Sequence, residues 1–271
     1  MIWRPIPEKP GYGIVGASYV GFYPLVFGKR RRHGRRPRLS ERLFRRFVFK
    51  YFAQNLLVDL QLQAKRASLD YINAHMMHCM VFDTRWDILR YSLGQAKSEG
   101  LILEFGVYKG DSIRAIADWS RRPVHGFDSF EGLPEDWVGT GELQGRFNAR
   151  GRLPKVPANV TLHAGWFDDT LPPFLAGHLE PVAFVNIDCD LYSSTKTILD
   201  ALSERIRPGT IVSFDEYFNY HGWQRHEFKA FQEFVQAKGV RYEYLGFTAS
   251  GGTIVLRILE MGATPGPVPP A

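Results

Sequence analysis

Four acidic residues stand at the ends of two apolar runs in the second half of the chain. Asp188 and Asp190 follow the apolar residues 184–187, and Asp215 and Glu216 follow a second apolar run. If the two runs are neighbouring strands, about 4.8 Å apart, these carboxylates converge at one edge of a sheet. Massed carboxylates repel one another unless a cation or protons intervene, and oxygen ligands alone favour Mg²⁺. The spacing therefore predicts a magnesium site, whereas the simpler alternative is that each acid caps a helix.

The same acids suggest how a substrate hydroxyl could lose its proton. Chelation by Mg²⁺ lowers the pKa of a hydroxyl, after which a nearby carboxylate can accept the proton. We predict Asp188 and Asp190 as catalytic residues, with Asp190 as the general base. His221 and His226 are alternative bases, although His226 begins a pattern typical of a solvated helix.

A glycine-rich turn follows the first strand-like run, in the stretch LEFGVYKGDSI. Gly106 and Gly110 let the backbone approach a ligand closely, and Ser112 begins a helical pattern whose N-terminus favours negative charge. A purely structural turn explains the glycines equally well. The full G-x-G-x-x-G pattern of dinucleotide-binding proteins is missing, and Glu104 would repel a pyrophosphate. A carboxylate at this point instead suits the positive charges of S-adenosylmethionine.

An acid after the second strand-like run supports an adenosine-containing cofactor. Asp128 falls about 20 residues past the glycine turn, where a carboxylate can accept both hydroxyls of a ribose. Trp166 and Phe167 lie at the next strand end and suit an adenine ring, although Trp166 also suits a core position. The predicted cofactor-binding residues are Glu104, Gly106, Gly110, Ser112, Asp128, Ser129, Gly165, Trp166, Phe167 and Asp188.

The elements that must position these residues alternate between strand-like and helical patterns. Five short β-rich runs, LILEFGV, VHGFD, VTLHAG, VAFVNID and TIVSFD, are separated mostly by helical patterns. This alternation predicts an α/β fold with a parallel sheet and helices on both faces. The last two runs, VRYEYLGF and TIVLRIL, leave no room for a helix between them and predict a hairpin. Two helical patterns precede the sheet, one from Ser40 past Leu60 and one from Asp83 to Lys97.

Taken in order, these motifs resemble the macrocin O-methyltransferase family. The stretches FDSFEGLP, GWFDDTLP, IDCDLYSST and GGTIVLRI carry the resemblance, which extends over roughly residues 71–259. The family consists of class I S-adenosylmethionine-dependent enzymes that methylate sugar hydroxyls of natural products. The resemblance implies a Rossmann-like, mostly parallel sheet of seven strands with an antiparallel C-terminal hairpin. It also implies Mg²⁺ bound by Asp188, Asp215 and Glu216, although the family usually has a second aspartate in place of Glu216.

A long polar and glycine-rich segment, residues 137–160, predicts a mobile lid over cofactor and acceptor. The expected acceptor is a hydroxyl of a sugar or glycosylated natural product. Two alternatives stay open. One is a class I methyltransferase with a phenolic or nucleic-acid acceptor, and the other is a non-catalytic S-adenosylmethionine-binding protein that docks on anionic membranes. Nucleic acid is not expected as a partner, because an acidic acceptor site without the metal would repel phosphate.

Composition and charge set the outer limits. The chain of 271 residues is 45% hydrophobic, without an apolar run of membrane-spanning length. Its two cysteines, Cys79 and Cys189, cannot form a disulfide framework, so a cytoplasmic location is expected and Cys189 is expected to be a small buried filler. The net charge is +6, but residues 29–50 alone carry +10, from eleven Lys and Arg residues against Glu41. The rest of the chain therefore carries −4.

We predict four parts along the chain: a basic, partly disordered arm (1–38), a helical segment (39–99), an S-adenosylmethionine-binding methyltransferase domain (100–260) and a disordered tail (261–271). The basic region 29–50 is either a solvated segment or a contact for an anionic surface such as lipid. A membrane-peripheral location and a homo-oligomer are therefore both left open.

Overall fold

The structure, a computed structural model, describes residues 39–262. The predicted basic arm and most of the predicted tail therefore lie outside the described residues. The chain divides into two compact units, residues 1–59 and residues 60–271. Residues 60–99, which the sequence groups with the N-terminal helices, belong to the same unit as the sheet.

Helical structure makes up the described part of the first unit. Its elements are helix α1 (Leu39–Val48), a π-helical turn (Phe49–Ala53) and the start of helix α2 (Leu56–His75). The long helix expected from Ser40 past Leu60 is therefore interrupted at residues 54–55.

The second unit is built on one eight-stranded sheet. The strands are β1 (Met80–Phe82), β2 (Leu101–Phe105), β3 (Val124–Asp128), β4 (Val160–Ala164), β5 (Val182–Ile187), β6 (Ile211–Phe214), β7 (Arg241–Thr248) and β8 (Ile254–Glu260). They lie side by side in the order β1-β7-β8-β6-β5-β2-β3-β4. All neighbouring pairs are parallel except those of β8, which runs antiparallel to both β6 and β7. The α/β fold and the C-terminal hairpin are confirmed, with one strand more than the seven expected.

Helices cover both faces of this sheet. They are α2 together with α3 (Arg85–Gln95), α4 (Asp111–Ser120), α5 (Phe167–Gly177), α6 (Tyr192–Leu202) and α7 (Glu227–Lys238). The central strand β2 is wholly buried and alternates between two cores. Leu103 and Phe105 pack in the core formed with α2, α5, α6 and α7, whereas Ile102 packs in the core formed with α3 and α4.

Strand register brings the predicted site residues to one edge of the sheet. Phe105 at the end of β2 is level with Phe127 of β3 and with Ile187 of β5. Ile187 is in turn level with Phe214 of β6. The residues that follow these strands therefore share the carboxyl edge of a parallel sheet, where ligands bind in such folds.

Strand β1 is the strand that the sequence analysis missed. It has only three residues, and Met80 and Val81 are exposed. Its partner is β7, more than 150 residues away along the chain, so no local hairpin signal marks it. Within residues 39–262, no helix is both long enough and apolar enough to cross a membrane.

Candidate active site

The glycine turn after β2 is fixed by a carboxylate from the next strand. Asp128 accepts hydrogen bonds at Oδ2 from the backbone N–H groups of Val107 (2.8 Å) and Tyr108 (2.7 Å). Its Oδ1 accepts from the N–H of Phe130 (2.7 Å). Asp128 therefore shapes the turn itself, a role absent from the sequence analysis, and its contact with ribose hydroxyls stays a prediction.

Gly106 brings this turn against the acidic edge of the sheet. Its φ is +90°, and a Cβ atom there would collide with the carbonyl oxygen of Asp188. The two strand ends are joined at this point, because the N–H of Asp188 donates to the carbonyl of Phe105 (2.8 Å). Gly110, with φ +80°, is the N-cap residue of α4. Both glycines thus have structural roles that do not depend on a ligand.

Glu104 lies inside the sheet. It is fully buried, and Asn186 on β5 donates from Nδ2 to its Oε1 (3.0 Å). Burial raises the pKa of Glu104 to about 7, against the opposing effects of Ser112 and Asn186. Within the described part of the chain, the buried Oε2 atom makes no hydrogen bond. A buried acceptor without a partner, three residues before the backbone that Asp128 binds, is a group that a ligand N–H could satisfy.

A guanidinium occupies the centre of the acidic edge. Arg85 donates from Nη2 to Oδ2 of Asp188 (2.9 Å), and its Nη1 lies 3.4 Å from Oδ2 of Asp215. Asp215 is held in addition by Thr253, whose hydroxyl donates to Oδ1 (3.0 Å). The two aspartates converge as the sequence predicts, but the cation between them is a side chain that the sequence analysis missed.

Local sequence explains only part of the placement of Arg85. Thr84 is the N-cap of α3, and its hydroxyl oxygen accepts the N–H of Asp87 (3.2 Å). Arg85 is thus the first residue of the helix, with 41% of its side chain exposed. Thr84 and Asp87 are the only local sign of this helix start in the sequence around Arg85. They indicate where the helix begins, but not which residue Arg85 pairs with.

A second missed residue ties together the two acidic loops. Glu227 is the fully buried first residue of α7. It accepts at Oε1 from the N–H of Asp190 (3.3 Å) and at Oε2 from the N–H of Glu216 (3.1 Å). Asp190 itself has φ +67°, an uncommon conformation for a residue other than glycine. The loop after β5 is therefore held in a strained shape by a carboxyl group from another element.

The acidic edge carries more negative charge than Arg85 balances. The pKa of Asp188 lies well above its usual value, that of Asp190 is raised to about 7 and that of Glu216 to about 8. Burial is the largest cause in all three, the charge of Asp215 comes next, and Arg85 opposes both. A further cation, or protons, would complete the balance.

A cleft of about 370 Å³ opens at this edge, a size usual for small-molecule sites. The predicted site residues that line it are Gly106, Ser112, Asp128, Ser129, Gly165, Trp166, Phe167, Asp188, Asp190, Asp215 and Glu216. Cys189 also lines it and is otherwise buried, as expected. Among the described residues, Glu104, Gly110, His221 and His226 are not part of the cleft wall.

The alternative bases are therefore not placed for the role. His226 is buried, and its Nε2 lies 2.8 Å from the carbonyl oxygen of Val138. The predicted helical pattern does begin there, since His226 is the N-cap of α7, but half of this helix is buried against the sheet and it is not the solvated helix expected. Asp190, in contrast, lines the cleft.

Aromatic side chains form the rest of the wall. Trp166 is 38% exposed, so it is not a core residue, whereas Phe167 packs edge-to-face on Phe105 with ring centroids 5.3 Å apart. From the segment predicted as a lid, Trp137 and Phe147 line the cleft.

Backbone hydrogen bonds hold the predicted lid segment in place. Its base is fixed by two hydrogen bonds of 2.9 Å, from the N–H of Leu133 to Arg146 and from the N–H of Gly145 to Leu133. Trp137 is buried against Leu133 and Leu191. The segment therefore covers one side of the cleft in an ordered conformation, and its mobility stays a prediction.

Comparison with known proteins finds methyltransferases similar to this chain. Residues 103–217 match the family model described as a methyltransferase domain. The chain is 33% identical over 167 residues to the 8-demethyl-8-(2,3-dimethoxy-alpha-L-rhamnosyl)-tetracenomycin-C 4'-O-methyltransferase of Streptomyces olivaceus, covering 52% of this chain and 62% of that protein. It is 27% identical over 185 residues to the mycinamicin III 3''-O-methyltransferase of Micromonospora griseorubida, with coverages of 57% and 70%. The chain thus spans less than two thirds of the first of these relatives.

Solved structures share the fold. CalS11, a calicheamicin methyltransferase, superposes with a TM-score of 0.50 at 22% identity, over 84% of this chain and 99% of that one. The O-methyltransferase NovP superposes with a TM-score of 0.52 at 22% identity, over 65% and 80%. At this identity the two structures show a shared fold, and the names of the two sequence relatives agree with the resemblance drawn from the motifs. The chain is therefore similar to named sugar O-methyltransferases over about half of its length, and its residues 103–217 match a methyltransferase domain.

Proposed function

We propose that the protein transfers a methyl group from S-adenosylmethionine to a hydroxyl of a sugar or glycosylated natural product, with Mg²⁺ at the acidic edge. One observation carries the proposal: the glycine turn and the acidic edge line the same cleft. Gly106 lies directly against the backbone of Asp188. A cofactor on the turn and an acceptor at the edge would therefore be neighbours, as group transfer requires.

The relatives support the class of acceptor. One is named for 4'-O-methylation of a rhamnosyl-tetracenomycin, and the other for 3''-O-methylation of mycinamicin III. We extend to this chain only what the two names share, a hydroxyl of a sugar attached to a natural product. Homo-oligomer formation and a cytoplasmic location stay predictions.

The residues of the turn fit the cofactor. Asp128 and Ser129 line the cleft beside the glycine turn, and Trp166 offers an exposed ring for an adenine. Glu104 lies buried outside the cleft wall, so its contact with the cofactor would require the turn to open and stays a prediction. When bound, S-adenosylmethionine supplies an electrophilic methyl group. The protein's part is to hold it in the cleft, whose wall includes Trp137.

The side chains of the acidic edge are suitable ligands for Mg²⁺, but in the structure the guanidinium of Arg85 occupies the position between them. Asp188, Asp215 and Glu216 offer oxygen ligands only, as a hard cation prefers. No group of three or more His, Cys, Asp or Glu side chains within residues 39–262 is arranged to hold a metal ion. The proposal therefore requires Arg85 to move aside, which its 41% side-chain exposure permits. When bound, Mg²⁺ would polarise the acceptor oxygens and lower the pKa of the hydroxyl.

Asp190 is the proposed base. It lines the cleft, and its backbone is fixed by Glu227 in the strained shape described above. A carboxyl whose pKa is raised to about 7 is a stronger base than an ordinary aspartate. Asp188 and Asp215 would orient the acceptor through the metal, and Asp190 would take the proton.

Two kinds of substitution test this division of roles. Asp188→Ala and Asp215→Ala each remove a metal ligand, so methyl transfer from labelled cofactor to a rhamnosyl glycoside should fall sharply and recover in part at raised Mg²⁺. Asp190→Asn keeps the shape and removes the base, so the rate should fall roughly 10²–10⁴-fold without rescue by Mg²⁺. The matched control is Asp200→Asn, since Asp200 forms an exposed pair with Lys196 outside the cleft.

Calorimetry separates binding from chemistry in the same variants. S-adenosylhomocysteine should bind all of them, and Mg²⁺ should bind the Asp190→Asn protein as it binds the unchanged chain. If Mg²⁺ rescues Asp190→Asn as it rescues Asp188→Ala, Asp190 is a ligand and the assignment of the base is wrong. Full activity in excess chelator would remove the metal from the proposal.

A further inference from the structure

Helix α1 and the π-helical turn after it expose a large apolar surface. Leu39, Leu43, Phe44 and Phe47 in the helix are between 53% and 74% exposed. In the turn, Tyr51 is 47% exposed and Phe52, beside it, is 48% exposed. An isolated helix of this length is marginal in water, because most helical stability comes from packing an apolar face against a partner. The exposed face therefore calls for an occupant.

The apolar and basic side chains are segregated around the helix. Leu39, Leu43, Phe47 and Tyr51 recur every four residues, which places them on one side. The rings of Phe47 and Tyr51 are in contact, with centroids 4.9 Å apart, as expected of neighbours on one face.

The basic residues repeat with the same interval on the flank of that face. Arg42, Arg46 and Lys50 each precede an apolar residue by one position, a rotation of about 100°. The Nζ atom of Lys50 lies 5.3 Å from the ring centroid of Tyr51. Arg45 pairs with the nearby acid Glu41 (3.2 Å). Long cationic side chains bordering aromatic rings are the arrangement of a helix that lies at a membrane surface.

We propose that residues 39–53 form an amphipathic helix that lies in the surface of an anionic phospholipid bilayer. The apolar face would enter the boundary between head groups and acyl chains, and the basic flank would meet lipid phosphates. Charge complementarity favours this occupant, since residues 29–50 carry +10 while the rest of the chain carries −4. The helix is too short and too charged to span the bilayer.

Other occupants fit less well. A second copy of the chain would bring two basic flanks together, and like charges oppose such a pairing. A nucleic acid would meet the basic side chains but would leave the leucine and phenylalanine face in water. A bilayer with anionic lipids satisfies both halves of the surface at once.

Vesicle flotation of the full chain tests the proposal without reference to methyl transfer. Vesicles of phosphatidylcholine mixed with phosphatidylglycerol should carry at least about 10-fold more protein than vesicles of phosphatidylcholine alone, and added salt should reduce the difference. Phe44→Ser with Phe47→Ser should lower binding to the anionic vesicles by about 10-fold or more, because two rings that would enter the bilayer are lost.

A matched pair of substitutions controls for surface hydrophobicity. Leu69→Ser with Leu179→Ser alters two leucines that are 48% and 75% exposed outside the helix, and it should leave vesicle binding unchanged. Unaltered thermal unfolding would show that each variant is folded. Arg42→Gln with Arg46→Gln should weaken binding to the anionic vesicles and leave the small binding to neutral vesicles as it is.

Four outcomes would overturn the proposal. These are equal binding to neutral and anionic vesicles, loss of binding in the control pair, and retention of binding in the phenylalanine pair. The fourth is a self-association that the phenylalanine pair abolishes while no vesicle binds, which would assign the face to a second copy of the chain.

Discussion

Replacing Arg85 with methionine should strengthen Mg²⁺ binding at the acidic edge. In the structure the guanidinium lies between Asp188 and Asp215, at 2.9 Å and 3.4 Å from the nearest oxygen of each. A metal bound by the same carboxylates must displace it, so part of the binding free energy of Mg²⁺ is lost in breaking two ion pairs. Methionine keeps the length of the side chain and removes the competing charge.

The size of the effect follows from the exposure of the pair. The Arg85 side chain is 41% exposed, so each ion pair is worth about 1 kcal/mol, the upper end for surface pairs. Two pairs amount to about 2 kcal/mol, and 1.4 kcal/mol corresponds to a factor of ten in affinity. Arg85→Met should therefore lower the Kd for Mg²⁺ by roughly 10–50-fold in titration calorimetry with S-adenosylhomocysteine present.

A stability measurement gives an independent readout. Without Mg²⁺, Arg85→Met leaves Asp188 and Asp215 facing each other, so its thermal unfolding should begin at a lower temperature. Added Mg²⁺ should then raise the unfolding temperature of the variant more than that of the unchanged chain. Arg257→Met is the control, because Arg257 pairs with Glu243 at a similar distance (2.9 Å) outside the cleft. An Arg85→Met protein whose Mg²⁺ affinity is unchanged or weaker would refute the competition between arginine and metal.

Three further predictions concern the backbone, the acidic loops and pH. Gly106→Ala should destabilise the fold by about 1–3 kcal/mol and abolish cofactor binding, since the new Cβ meets the Asp188 carbonyl. Unchanged S-adenosylhomocysteine affinity of this variant in titration calorimetry would contradict the placement of the cofactor on the glycine turn. Glu227→Ala should cost about 1–3 kcal/mol for each N–H left unpaired and reduce turnover, while S-adenosylhomocysteine affinity stays within a few-fold. Burial and the neighbouring His163 lower the pKa of His125 to about 4, so the unfolded chain binds a proton below about 6.5 that the folded chain binds only below about 4. Stability should therefore fall as the pH drops through this window, and His125→Phe should flatten that part of an unfolding curve measured against pH.

The sequence locates the glycine turn and the strand end beside it, the proposed cofactor site, because local backbone chemistry builds them. Gly106 and Gly110 both adopt positive φ, where glycine is the favoured residue. Asp128 ends strand β3, whose neighbour β2 in the sheet is also the preceding β-rich run of the sequence. Such glycines and strand-end acids can be recognised within a short stretch of sequence. To place them together, the prediction needs only the order of the parallel strands.

The acceptor half is less predictable, because its decisive contacts come from distant parts of the chain. Arg85 and Asp188 are separated by 103 residues, and Glu227 follows Asp190 by 37. Nothing in the residues around Arg85 indicates that its partner is an aspartate at a strand end. The two acidic pairs in the sequence indicate that a cation is needed at this edge. Whether that cation is a metal or an arginine depends on the tertiary position of α3.

This difference between the two halves bears on how the acceptor is selected. The glycine turn, the proposed cofactor site, is fixed to the sheet, since Gly106 lies against Asp188 and Asp128 accepts hydrogen bonds from two backbone N–H groups of the turn. The acidic edge, the proposed acceptor side, is held instead by side chains from two helices, Arg85 from α3 and Glu227 from α7. Changes on these helices would alter the electrostatics and shape around the acceptor while leaving methyl donation intact. We therefore expect differences in acceptor preference between this chain and its relatives to arise at the starts of α3 and α7 and in residues 137–160, more than in the sheet.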